Sequence, residues 1–160
     1  MSMIQVFNLH EDTWLGRGDY IGRPSVLGNP FSLCQWSREE AVGQYRREWL
    51  WPIVKDGLAG KWTGKPSTLG KFEQFSRAHS PPIYPPLNNE EFRQAVWEAL
   101  VVLCRRAAAG EDLSLLCYCK PLDCHGDVLK SCLEWLLQTS VVVKRDPPSL
   151  GATARQERDV

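Results

Sequence analysis

Apolar and polar positions along the chain follow two distinct periods. Met3 to Leu9 alternates loosely, with Ile4, Val6 and Phe7 as its apolar positions, and predicts a first strand. Ser37-Arg38-Glu39-Glu40 has the form of a capping box, Ser37 at the N-cap and Glu40 three residues on. It launches a helix through about Trp51 whose buried face is Ala41, Val42, Tyr45 and Trp49. Pro52 is expected to close that helix, because proline lacks an amide hydrogen and its ring crowds the preceding turn. A second long helix is expected after Asn88, with an apolar stripe of Phe92, Val96, Ala99, Leu100, Leu103 and Cys104, and Gly110 ends it. From Leu113 to Leu137 the chain reads LSLLCYCKPLDCHGDVLKSCLEWLL. Leu113, Leu115, Cys117 and Cys119 share one face of an extended run, and Val128, Leu129, Cys132, Leu133 and Leu136 return at helical spacing. A strand, a tight loop and a helix are predicted there.

Strand, helix, helix, strand, helix is the order of a small α/β layer structure, and we expect one Rossmann-like α/β domain over residues 1–143. Within it, residues 51–89 keep neither period and are expected to form a long irregular insertion, extended around Pro81, Pro82, Pro85 and Pro86. Ser140 to Val143 is a candidate edge strand, and residues 144–160, with prolines and alternating charge, are expected as a disordered tail. In such sheets, ligands sit in the crevice beyond the carboxyl ends of the strands. The loop after the Leu113 strand is therefore a candidate site.

Charge narrows the partners. Nineteen Lys and Arg balance nineteen Asp and Glu, so nucleic-acid binding would need a local basic patch. No apolar run approaches bilayer-spanning length and no charged-then-apolar leader opens the chain, so a cytoplasmic location without a membrane partner is expected. In a reducing compartment six cysteines point to metal ligation or catalysis rather than disulfides, with Cys104 as a small core residue.

Two stretches carry candidate chemistry. In DYIGRPSVLGNPF, Gly22 and Gly28 permit backbone conformations closed to other residues, while Pro24 and Pro30 hold Arg23 and Asn29 extended. This is either a structural corner or a loop in which Arg23, Ser25 and Asn29 present donors to an anionic or amide-bearing ligand. The glycines Gly16, Gly18 and Gly22 miss the dinucleotide spacing by one residue, and Ala59 and Pro66 break the phosphate-loop pattern around Gly60 to Lys65. Trp62, Lys65, Lys71 and His79 stand in the insertion as further candidates for a lid or binding element.

The other stretch holds Cys117, Cys119, Cys124 and His125, for which two chemistries compete. All four can serve as zinc ligands, although the one-residue gap in the first pair is unlike zinc knuckles and adjacent ligands in a helix's first turn diverge. In the other chemistry Cys124 stands at a helix N-terminus, where free amides stabilise a thiolate or a bound anion. His125 or Asp127 then carries protons, and Gly126 lets a phosphate approach the backbone. Cys117 and Cys119 on a buried strand are most economically core residues, and Asp123 or Asp127 can simply favour the helix start.

The segments YIGRPSVLGNPF, SREEAVGQYRREWL and LLCYCKPLDCHGDVL together resemble an uncharacterised family of bacteria and phages, a domain of unknown function. Its signatures are Gly-Arg-x-x-x-Leu-Gly-Asn-Pro-Phe and Cys-x-Cys followed by Cys-His-Gly-Asp. The resemblance implies that Gly22, Arg23, Gly28, Asn29, Pro30, Cys117, Cys119, Cys124, His125, Gly126 and Asp127 form one constellation. It further implies a pocket for a phosphorylated small molecule, by fold-level analogy a nucleotide. The first expectation is then a nucleotide-directed hydrolase or transferase, with Cys124, His125 and Asp127 catalytic and Gly22, Arg23, Ser25, Gly28, Asn29 and Gly126 binding. The competing one is a zinc-stabilised module for nucleic acid or a protein partner, with Cys117, Cys119, Cys124 and His125 as ligands.

Overall fold

The computed structural model describes residues 2–8, 18–23, 25–64, 66–67, 84–119 and 122–139. Among them, helices surround a small parallel sheet of three strands, β1 (Ile4–Asn8), β2 (Asp19–Tyr20) and β3 (Leu113–Cys117), in the order β1-β3-β2. The strand latest in sequence takes the centre because it is the most apolar. Leu113, Leu115, Leu116 and Cys117 are all buried, as a strand covered on both faces requires. The register sets Ile4 opposite Leu113 and Asn8 opposite Cys117 on one side, with Asp19 opposite Leu115 and Tyr20 opposite Leu116 on the other. Because the strands are parallel, their carboxyl ends at Asn8, Tyr20 and Cys117 open on one edge. No apolar run announces β2. A Cβ at Gly18 would stand 2.8 Å from the Ser114 carbonyl oxygen, so glycine is what lets the chain approach β3 there.

The capping box forms as expected: Ser37 Oγ accepts from the Glu40 amide and the Glu40 carboxylate accepts from the Ser37 amide, each at 3.2 Å. It starts α1 (Arg38–Gln44), which continues through a π-helical turn (Tyr45–Leu50) into α2 (Trp51–Leu58). Pro52 therefore does not close the first helix. In the π-turn the Trp51 amide reaches back five residues to the Arg46 carbonyl, and the widened backbone admits Pro52 in the first turn of α2, where its missing hydrogen costs little. The irregular insertion expected from residue 51 is thus helical to Leu58. The next helix, α3 (Glu90–Ala108), is capped by Asn89 rather than Asn88, its side chain accepting from the Phe92 amide at 3.0 Å. Gly110, at a φ of +95°, follows its end as the pattern predicts. The last helix is α4 (His125–Thr139).

One apolar core joins these elements. Trp49 and Phe92 rings lie 4.7 Å apart between the π-turn and α3, and Leu129, Leu133 and Leu136 of α4 are fully buried. Asp56 and Glu90 pair with Arg93 at 2.7 and 3.2 Å, linking α2 to α3. The candidate edge strand 140–143, the tail 144–160 and Lys65, Lys71 and His79 lie outside the described residues.

Candidate metal centre and cavity

The loops that follow β2 and β3 meet at the carboxyl edge of the sheet. β3 delivers Cys117 and, two residues on, Cys119; the chain then turns so that Cys124 stands immediately before α4. The sulfurs of Cys117, Cys119 and Cys124 all lie within 4.8 Å of one another, and Cys117 and Cys124 are 3.0 Å apart. A tetrahedral zinc with bonds near 2.3 Å holds its sulfurs about 3.8 Å apart, a spacing inside the 4.8 Å span of the cluster and wider than its Cys117–Cys124 contact. Cys124 precedes the first turn of α4 and His125 belongs to it, and the group within 4.8 Å holds the three cysteines without His125. The Gly126 amide donates to Cys124 Sγ at 3.2 Å, and the Asp127 amide to the Cys124 carbonyl at 3.1 Å, fixing the approach to the helix.

His125 is buried beside this cluster. Its Nε2 lies 2.7 Å from the Ile21 carbonyl oxygen and its Nδ1 lies 3.8 Å from Cys124 Sγ. A carbonyl only accepts, so the hydrogen is assigned to Nε2, and in the neutral ring Nδ1 carries its lone pair on the cysteine side. Tyr45 packs edge-on against the imidazole at 5.2 Å, and its buried hydroxyl donates to the Leu27 carbonyl at 2.9 Å. The π-turn thus ties the Gly-Arg-Pro loop and His125 together. Tyr45→Phe is expected to cost about 1–2 kcal/mol by leaving that carbonyl unpaired, which urea unfolding would measure.

A cavity of about 370 Å³ opens beside the cysteines, lined by Gly22, Arg23, Asn29, Cys117, Cys119 and His125 from the two motifs. Tyr20, Phe31, Leu33, Arg38, Tyr118 and Asp123 line it as well. The two sequence motifs therefore meet, at the loop after β2 rather than after β1. Arg23 also braces its own loop, with Nε donating to the Asn29 carbonyl at 2.7 Å and Nη2 to the Phe31 carbonyl at 2.9 Å. Asn29 is equally engaged, its Nδ2 donating to the Ala41 carbonyl at 3.1 Å and its Oδ1 accepting from the Phe31 amide at 2.9 Å.

Other candidates stand apart from the cavity wall. Ser25 Oγ accepts from the Leu27 amide, and the Ser25 carbonyl accepts from the Tyr84 hydroxyl at 2.8 Å. Gly28 leaves room for that hydroxyl, which would sit 2.1 Å from an added Cβ. Gly126 is packed against Val6 and Ile21. Cys124 is only 1 % exposed and does not line the cavity, whereas Cys119 is half-buried and does. Sequence reasoning passed over Tyr20, Tyr118 and the Ile21 carbonyl, which no local pattern marks, and read Asp123 only as favouring the helix start.

A family model for a domain of unknown function matches residues 8–135, spanning both motifs and every element from the end of β1 into α4. The chain belongs to this family, DUF4326. No curated protein and no solved structure matches it. In this DUF4326 chain the three thiols are electrostatically unequal. Hydrogen bonds from the Cys117 and Cys124 thiols, and from His125 when the ring is protonated, hold Cys119 far below the usual thiol range. Donating those bonds, first to Cys119, raises Cys117, and bonds to Cys117 and Cys119 with burial raise Cys124. Cys132 is different: burial first, and then the neighbouring Cys104, pushes its thiol up to about 12, and it is a core residue of α4. Three convergent cysteine sulfurs are a soft donor set that can hold a metal ion.

Proposed function

We propose that this chain is a zinc-binding domain, Rossmann-like in its layering and cytoplasmic, whose metal is held by Cys117, Cys119 and Cys124 with His125 Nδ1 as fourth donor. What supports it is the convergence of three sulfurs within 4.8 Å beside a histidine whose other nitrogen is already committed to the Ile21 carbonyl. Metal-ligating histidines carry such a partner on the second nitrogen, which orients the ring. The parallel β1-β3-β2 order and the crevice at its carboxyl edge support the layering. The centre sits on the wall of a cavity rather than inside a closed knuckle, which favours a small ligand at the metal. The balanced charge of the chain gives no support to a nucleic-acid partner.

A thiol enzyme acting on a nucleotide is the second reading, favoured by one feature: Cys119 opens into the cavity beside His125. Cys124, closed off from the cavity, is then the thiol that supports it, in place of the nucleophile expected from sequence. Elemental analysis of protein purified without added metal, together with thiol titration, separates the two. About one zinc per chain with three protected thiols is the expected result. Metal-free protein with a single fast-reacting thiol at Cys119 would overturn it in favour of thiol chemistry.

A further inference from the structure

The cavity beside the cysteine cluster has a chemistry of its own. Two guanidinium groups, Arg23 and Arg38, and one carboxylate, Asp123, line it together with Phe31, Leu33 and Tyr118. Arg38 has no hydrogen-bond or ion-pair partner among the described residues, although Glu39 and Glu40 are its immediate neighbours. It also stands in the first turn of its helix, where a cation opposes the helix dipole and acidic residues are preferred. Arg38 lines the cavity. Arg23 is held in place by the Asn29 and Phe31 carbonyls through Nε and Nη2, so its position is set before any ligand arrives.

The remainder of the wall is apolar and open. Leu33 is 51 % and Tyr118 52 % exposed, and the Tyr118 ring meets Tyr20 edge-on at 5.9 Å. A wall that carries two cations together with exposed apolar and aromatic side chains suits a ligand with an anionic group and a flat apolar body. The volume of about 370 Å³ is near the lower end of small-molecule sites, the scale of one mononucleotide. Two guanidinium groups match the double charge of a single phosphate.

We infer that this cavity binds a nucleoside monophosphate, its phosphate on Arg38 and Arg23 and its base against Leu33 and Tyr118. The inference rests on the zinc-centre proposal only in setting the ligand next to Cys119. Asp123, on the same wall, accepts from ribose hydroxyls or an exocyclic amino group.

The test is calorimetric titration of full-length protein as purified, and of Arg38→Gln and Arg38→Lys, with the common nucleoside 5′-monophosphates, the matching nucleosides, ribose 5-phosphate and inorganic phosphate. At least one monophosphate is expected to bind roughly ten- to hundredfold more tightly than its nucleoside or than phosphate, and Arg38→Gln to remove that advantage while Arg38→Lys keeps part of it. Nucleoside binding and metal content should be the same in all three proteins. Equal affinity for phosphate alone, an unchanged monophosphate affinity in Arg38→Gln, or no binding of any monophosphate overturns the inference. Zinc content is measured on the same samples, so protein that holds zinc and binds no nucleotide fails here alone. Protein that binds a monophosphate without zinc fails only the metal assignment.

Discussion

Cys124→Ala is expected to lower the melting temperature of the zinc-loaded protein by about 10 °C, and to make that temperature insensitive to chelator. A ligand that binds only the folded state stabilises it by about 4 kcal/mol when its free concentration is a thousand times Kd. In a chain of this size each kcal/mol moves the melting temperature by about 2–4 °C. The thiol itself accounts for little. Removing one buried sulfur from metal-free protein leaves a small void, a loss on the order of 1 kcal/mol. The comparison that decides is therefore wild type against Cys124→Ala, each melted with and without a strong chelator. Wild-type protein should fall to the level of the variant when zinc is withdrawn, because structural metal binding is folding free energy. A chelator-independent gap of the same size would mean that Cys124 acts by packing, and its 1 % exposure makes packing the proper alternative.

Gly57→Ala, remote from the site, is expected to destabilise the fold by about 1–3 kcal/mol. Helix propensity alone argues the opposite, since alanine is favoured over glycine by about 1 kcal/mol in a helix interior. Packing decides the sign. A Cβ on Gly57 of α2 would stand 2.2 to 2.6 Å from three ring atoms of Trp97 in α3. The indole is rigid and only 8 % exposed, so it has to shift bodily, with α2 and α3 moving apart. Urea unfolding of the pair of proteins checks this: a variant more stable than wild type would show that the α2–α3 contact is looser than the structure describes. Since α2 continues from the π-turn that carries Tyr45, the same variant should also weaken metal binding modestly.

Much of the architecture is legible from residue order. Ser37 and Glu40 satisfy each other's backbone neighbours at a distance of three residues, and Gly110 ends α3, because caps are local chemistry. The buried faces of α3 and α4 follow their apolar periods, with Phe92, Val96, Leu100, Leu129, Leu133 and Leu136 all inside. The continuation past Pro52 was hidden, because whether a proline breaks a helix depends on how the preceding turn is wound. That winding is in turn set by how Tyr45 and Trp49 pack against distant elements. The strand β2 was hidden too: two residues carry no periodicity, and only the edge of β3 makes Asp19 and Tyr20 a strand.

The site divides in the same way. From residue types and spacing alone, Cys117, Cys119, Cys124 and His125 stand out as the chemistry-bearing group, since cysteine and histidine are the soft donors and only six residues lie between the first and the third. Sequence also marks Gly22, Arg23, Gly28 and Asn29 as a loop of definite shape. Tertiary structure alone decided that Cys119 lines the cavity while Cys124 does not, and that Ile21 fixes the imidazole. Burial and hydrogen-bond partners across more than a hundred residues, as between His125 and Ile21, come from how strands are ordered in the sheet. Strand order depends on the free energy of the whole core, to which no short stretch of sequence has access.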